Sequence, residues 1–300
     1  MERARVNRVE LEYDVRGSGE AVVLIHGGLL SDENTPLMNE PALTERYRVI
    51  NYHRRGFAGS EHPPGKPTIE DQAADCHALL QHLRVPRAHV VGHSLGGVIA
   101  IQVAFSHPES VHTLALMEPA LMGAIAKTQQ SADAQASQQK FLEGMARVNE
   151  IYAAGDRRGA LLAFLQTRAG EAFRDVLNFL QTTGEFEAAV RDADTFLQVE
   201  MPASYRWEFS SQKASEIRIP VLSILGAHSP PRARKVEEFL VSWMPQTEKL
   251  VLPGAEHALP LMDPPGIAAA LATWFAKYPI QSPAIGTAFG AHEGAVEGRL

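Results

Sequence analysis

Short apolar, β-branched runs that end in glycine or polar turns recur along this chain, and helical segments separate most of them. The runs are Ala21 to Ile25, closed by His26-Gly27-Gly28; Arg48 to Tyr52, closed by His53-Arg54-Arg55-Gly56; then His89 to Val91, Val111 to Met117, Val221 to Leu225 and Lys249 to Leu252. Each has the length and composition of a buried strand. Strand, helix, strand alternation predicts an α/β fold, with a mainly parallel sheet covered by helices on both faces.

The helices are legible by the same logic. Thr68-Ile69-Glu70-Asp71 opens one that runs towards Leu83, with Thr68 as cap and Asp71 closing a capping box, and Pro86 ends it. Pro231 to Met244 and Pro265 to Tyr278 form two more, each with proline near its start, where a missing N–H costs least. Between Glu118 and Pro220 the strand signal stops. Apolar residues there recur at helical spacing, as in Phe141, Leu142, Met145, Val148 and Ile151, then Phe173, Val176, Leu177 and Leu180. An inserted helical subdomain is expected, with Lys127 to Lys140 as an exposed helix or solvated spacer. Gln281 to Leu300 has no period and is expected to be a disordered tail.

A length of 300 residues suits one α/β core carrying an insertion, and 45% hydrophobic with 21% charged residues leaves enough apolar side chains to fill it. The net charge of -7 argues against binding a phosphate backbone, so no nucleic-acid partner is expected. The charged first ten residues do not form a signal core and no later run is long enough to span a bilayer. The expectation is a soluble, cytoplasmic protein without a membrane partner. Cys76, the only cysteine, rules out an intramolecular disulfide and a cysteine-rich zinc site, and its neighbours read as a buried helix face.

Gly92-His93-Ser94-Leu95-Gly96-Gly97 follows the strand at His89 to Val91 and precedes the apolar helical run Val98 to Ala104. A Gly-x-Ser-x-Gly pattern is weak alone, but strand-turn-helix is the context that a nucleophile elbow requires. Ser94 is therefore the candidate nucleophile. A serine hydroxyl needs a base, expected on a loop after the last strand, and of twelve histidines only His257, in Pro253-Gly254-Ala255-Glu256-His257, has that place. The other histidines read as packing or surface residues. Two backbone N–H groups are needed for the oxyanion: Leu95, directly after the nucleophile, and Gly28, with Leu29 as the alternative.

On His26-Gly27-Gly28, Arg55-Gly56-Phe57-Ala58-Gly59-Ser60, the elbow and the His257 loop, the chain resembles the α/β-hydrolase superfamily over about Val9 to Lys277. The resemblance implies an eight-stranded, mostly parallel sheet, an α-helical cap inserted after the sixth strand, and a cofactor-free acyl-transfer site beneath it. Residues 1–118 and 214–280 would form the core and 119–213 the cap. Most members carry an aspartate just after the seventh strand, but here that segment reads Leu225-Gly226-Ala227-His228-Ser229-Pro230 and holds no carboxylate.

The sixth strand ends in Glu118-Pro119, and a carboxylate at that edge faces the ligand side of an open α/β sheet. A minority of the superfamily places its acid there, including the zearalenone lactone hydrolases, which this chain also resembles in its acid-free seventh-strand loop and its histidine loop. Glu118 is accordingly expected as the third triad member. Glu256, adjacent to His257 on an extended loop, points away from it, and Asp263 reads as a helix-start residue.

These residues predict a serine hydrolase that cleaves a small hydrophobic carboxylic ester or lactone through an acyl-enzyme, with Leu29, His93 and Trp207 along the substrate pocket. Phe196, Met201, Tyr205 and Phe209 would roof the pocket or pack the cap to the core. Nothing in the sequence calls for a metal or organic cofactor. The partner expected is the small ester or lactone, with a homodimer left open. A carbon–carbon bond hydrolase on the same triad and a weakly catalytic ligand receptor also stay open, whereas a dehalogenase would need an aspartate in place of Ser94.

Overall fold

In the computed structural model, which describes residues 1–126, 132–169 and 173–281, the first strands are ones that the run pattern above does not include. Strands β1 (Glu2–Val6) and β2 (Val9–Arg16) pair antiparallel around a two-residue turn in which Asn7 and Arg8 both have positive φ, 42° and 65°. That is the backbone sense that matches strand twist in a tight hairpin. Along β2, Val9, Leu11 and Tyr13 are buried while Glu10, Glu12 and Asp14 are less so, a half-covered strand of period two rather than a continuous apolar run.

The remaining strands are β3 (Glu20–Ile25), β4 (Tyr47–Tyr52), β5 (Ala88–His93), β6 (Val111–Met117), β7 (Val221–Gly226) and β8 (Thr247–Leu252), and they pair parallel. The eight-stranded sheet has the order β1-β2-β4-β3-β5-β6-β7-β8. β5 and β7 are buried at every position and β3 at every position after Glu20, which is why they read as unbroken apolar runs.

Helices α1 (Pro41–Thr44), α2 (Ile69–His82) and α3 (Leu95–Ser106) lie within the first half of the chain. α2 starts on the expected capping box: Thr68 Oγ1 accepts from Asp71 N–H at 3.1 Å, and the Asp71 carboxylate accepts from Thr68 N–H at 2.8 Å. Between β6 and β7 the described residues form α4 (Met122–Ala126), α5 (Ala132–Ala153), α6 (Arg157–Ala169), α7 (Phe173–Thr183), α8 (Glu185–Arg191), a π-helical turn (Thr195–Glu200), α9 (Met201–Arg206) and α10 (Ser211–Glu216). After β7 come α11 (Pro231–Trp243), α12 (Leu259–Met262) and α13 (Pro264–Lys277), the last capped by Asp263 through Gly266 N–H at 3.0 Å.

Each sheet face carries its own core. Leu79 of α2, Ile99 of α3 and Leu240 of α11 pack on one, while Leu43 of α1 and Leu271 and Phe275 of α13 pack on the other. The segment between β6 and β7 has a third core, built from Val148, Leu161, Leu180, Phe186 and Phe196 and closed onto the loop after β3 through Leu30. Its C-terminal end departs from the expected boundary. Residue 213 falls inside α10, and Trp207, Phe209 and Ala214 belong to the sheet core.

Cys76 is fully buried, which pushes its thiol up to about 12. Of the expected spacer, residues 132–140 are helical within α5 and residues 127–131 lie outside the described residues, as do 282–300 of the expected tail. Among the described residues no helix is long and apolar enough to cross a membrane.

Candidate active site

Ser94 turns the chain from β5 into α3 with no residue to spare, and it does so at φ 51° and ψ -116°. A side-chain-bearing residue held there costs about 1–3 kcal/mol, so the surroundings must impose it. Ser94 N–H donates to Met117 O at 2.9 Å on the neighbouring strand, and Ser94 O accepts from Gly97 N–H at 3.1 Å and Ala120 N–H at 2.9 Å. Close approach explains the glycines. A Cβ on Gly96 would lie 2.2 Å from Ile25 O, and one on Gly28 would lie 2.9 Å from Cε2 of Phe196 and 3.3 Å from Cδ2 of Leu95. Gly28, on the loop after β3, thus lies against the Leu95 side chain at the start of α3, whose first-turn N–H groups have no partner within the helix.

His257 stands on the loop after β8, its Nε2 3.2 Å from Ser94 Oγ and its Nδ1 2.8 Å from Glu118 Oε2. Glu118 directly follows β6 with φ 46°, a positive value that turns its carboxylate off the strand and towards β7. Its other oxygen, Oε1, accepts from Gly226 N–H at 2.9 Å and from the Ser229 hydroxyl. The loop that lacks an acid therefore supplies donors to one. Burial works to raise the Glu118 pKa, but His257, Ser229 and Gly226 outweigh it and hold the carboxyl below its ordinary range.

With a carboxylate on Nδ1, the imidazole proton resides there and Nε2 is left as acceptor towards Ser94. Burial lowers the His257 pKa below its ordinary value, and nearby His93 and Arg168 act the same way against the opposing pull of Glu118. The ring is thereby neutral at pH 7, as a general base must be.

His93 has a different place from the one the sequence suggested. It is 3% exposed, its Nδ1 lies 2.7 Å from Glu33 Oε1, and its Nε2 donates to the backbone carbonyl of His257 at 2.7 Å. Both ring nitrogens face acceptors, and the pull of Glu33 and His257 O overcomes burial to raise the His93 pKa. Glu33 also accepts from Gly27 N–H at 2.6 Å. One ion pair thus ties the elbow, the glycine turn and the histidine loop together.

Trp207 is likewise displaced from the expected pocket wall. It is 4% exposed, stacks on Phe209 with ring centres 5.0 Å apart, and donates from Nε1 to Gln102 Oε1 of α3 at 2.7 Å. An indole with a buried N–H goes where an acceptor waits, and Gln102 offers one in the core. Leu29 is half-buried and packs against the third core.

Sequence reasoning missed Arg54, which is 1% exposed and forms a forked ion pair with Glu200, the last residue of the π-helical turn. Its guanidinium also donates to His26 O at 3.1 Å and Gly27 O at 2.7 Å, fixing the glycine turn from below. Its only trace in sequence is an arginine pair directly after an apolar strand. His26 and His53 are packed: His26 donates to Gly27 O at 2.7 Å, and His53 lies 2.8 Å from Glu12 and 3.1 Å from Asp32. Elsewhere, His77, His107 and Glu109 bring potential metal-ligating atoms within 4.8 Å of one another, near the C-terminal end of α3 and away from Ser94.

Comparison with known proteins bears on the fold. Residues 20–264 match the family model of the alpha/beta hydrolase fold. The uncharacterized hydrolase YraK of Bacillus subtilis is 34% identical over 121 residues, 39% of this chain and 44% of that one. Fluoroacetate dehalogenase of a Burkholderia species is 33% identical over 120 residues, 38% of either chain. The matched stretch spans less than half the length of these curated relatives. Among solved structures, a thermophilic esterase from Thermogutta terrifontis superposes with TM-score 0.73 at 21% identity, over 93% of this chain and 99% of that one. The enol-lactonase from Burkholderia xenovorans does so with TM-score 0.62 at 21% identity, over 92% and 99%. At such identities these likenesses speak for the fold.

Proposed function

The chain belongs to the alpha/beta hydrolase fold family, and on that premise we propose that it is a serine hydrolase of carboxylic esters or lactones working through an acyl-enzyme. The observation that carries this reading is the continuous line from Ser94 Oγ through the His257 ring to Glu118, with steps of 3.2 Å and 2.8 Å. The dehalogenase likeness does not alter the chemistry read here, because the elbow presents a hydroxyl and not a carboxylate.

In this mechanism His257 Nε2 takes the Ser94 proton as Oγ attacks the carbonyl carbon. The oxyanion forms against the N–H groups of Gly28 and Leu95, at the N-terminus of α3, where the helix dipole favours negative charge. The carbon–oxygen bond to the leaving group then breaks, and His257 passes its proton to the departing oxygen. Water, deprotonated by the same imidazole, cleaves the acyl-enzyme and returns the proton to Ser94. Glu118 keeps its negative charge throughout, fixing the Nδ1–H tautomer and stabilising the imidazolium.

The test is covalent labelling with a fluorophosphonate, followed by peptide mass spectrometry and hydrolysis of para-nitrophenyl acetate. Adduct on Ser94, and loss of both labelling and turnover in Ser94→Ala and His257→Ala, is the expected result. Full turnover by Ser94→Ala would end the proposal.

A further inference from the structure

Beside the triad, on the side of His257, lies a cavity of about 30 Å³ walled by Glu118, Pro119, Val236 and His257, and two arginines enter it from different elements. Arg168 comes from the last turn of α6 and Arg232 from the first turn of α11. Among the described residues neither guanidinium forms an ion pair; Arg168 rests over the Phe141 ring at 5.6 Å. The nearest anion, Glu118, has both oxygens committed to His257, Gly226 and Ser229.

Two like charges that converge on a half-buried cavity repel each other and lose hydration, and Glu118, the one carboxylate facing them there, offsets this only in part for Arg232. Burial and then Arg232 pull Arg168 down to about 10, and burial lowers Arg232 in turn. The charge of Arg168 also reaches the imidazole, where it disfavours the imidazolium that the reaction must form. An anion seated between them would relieve both costs.

We propose that Arg168 and Arg232 form an anion subsite, and that the substrate is an ester whose alcohol portion carries a carboxylate. This rests on the serine-hydrolase reading above. The carboxylate is assigned to the alcohol portion because, of the reacting groups, the cavity borders His257 and none of Ser94, Gly28 and Leu95, and His257 is the group that protonates the departing oxygen. A forked guanidinium matches the two oxygens of a carboxylate, and the cavity has room for roughly two water molecules, about the size of that group. On cleavage the ester bond breaks, the leaving alkoxide takes the proton from His257, and the hydroxy acid departs from the arginine pair.

The experiment compares 3-acetoxypropanoate with its neutral counterpart 3-acetoxypropanamide, each followed by acetate release. Wild type is expected to prefer the carboxylate in kcat/KM by about 10- to 100-fold, the worth of one charge-assisted contact. Arg168→Gln and Arg232→Gln should each lower that ratio about tenfold, and Arg168→Lys should keep part of it. A ratio near one in wild type, or a ratio unmoved in both variants, overturns the subsite.

Fluorophosphonate labelling of Ser94 in every preparation separates the two readings: absent labelling in wild type defeats the serine hydrolase, whereas labelling with a flat ratio defeats only the subsite. It also shows that each variant retains a folded site. If wild type is labelled but turns over neither ester, protection of Ser94 by 3-hydroxypropanoate and not by 3-hydroxypropanamide decides. Equal protection by both, or by neither, counts against the proposal.

Discussion

Replacing Glu118 by glutamine changes no shape, yet the donors around it dictate a large effect on rate. Gly226 N–H and the Ser229 hydroxyl both point at Oε1, so in Glu118→Gln the amide oxygen must take that position. The amide nitrogen then faces His257 Nδ1 and donates to it. The imidazole proton is forced onto Nε2, towards Ser94 Oγ, and the base is lost. The carboxylate charge that stabilises the imidazolium goes too. At 2.8 Å and an effective dielectric constant near 20, that attraction is about 6 kcal/mol. The His257 side chain is 40% exposed, so solvent screening leaves about 4–5 kcal/mol. The expected loss in kcat for para-nitrophenyl acetate is about 1,000- to 10,000-fold. Because glutamine keeps the same volume, thermal stability should change by less than about 1 kcal/mol. Steady-state kinetics on a variant with an unchanged melting curve is the assay. A Glu118→Gln enzyme within about tenfold of wild type would refute both the tautomer argument and the role of the residue.

Other perturbations follow the same physics. The His257 pKa is held below its ordinary 6.5, and the neutral ring is the active form, so kcat/KM should fall as pH drops through a midpoint below 6.5; a midpoint above it in the pH–rate profile would contradict the assignment. Glu200→Leu leaves the Arg54 guanidinium buried without its carboxylate and should cost about 3–5 kcal/mol, read as a drop of about 10 °C in thermal unfolding; an unchanged melting temperature would show the pair to be idle. Gly96→Ala places a methyl 2.2 Å from the backbone oxygen of Ile25 and is expected to cost more than about 3 kcal/mol, seen as loss of soluble protein or of Ser94 labelling. Thr68→Ala removes the capping box of α2 and should cost about 1 kcal/mol by chemical denaturation.

The buried parallel strands and the helices with distinct caps were readable from the sequence because their causes are local. Val22 to Ile25 are apolar whatever surrounds them, and Thr68 and Asp71 meet across a single helical turn. The β1–β2 hairpin carried a signal as well, the alternation of Val9, Leu11, Tyr13 and Val15, but half-covered strands hide behind their charged faces. Around the site, Ser94, Glu118 and His257 could be singled out because each sits at a strand end or loop with a recognisable neighbourhood. Glu33, Arg54 and Glu200 could not. Their partners lie 60, 146 and 146 residues away, and an isolated acid or arginine in a sequence does not announce a buried contact. Trp207 shows the opposite failure: a large aromatic in a helical insertion suggests a pocket wall, and only the position of Gln102 draws it into the core.

The grip of Gly226 and Ser229 on Glu118 relieves the rest of the turn after β7 of supplying a charge. Ala227 and His228, which follow where an acid is usually sought, contribute backbone N–H groups to Leu252 O at 2.9 Å and Ala255 O at 3.0 Å. Their side chains take no part in these bonds, so any residue but proline at 227 or 228 should leave the loop on its course and the charge on Glu118 held as before.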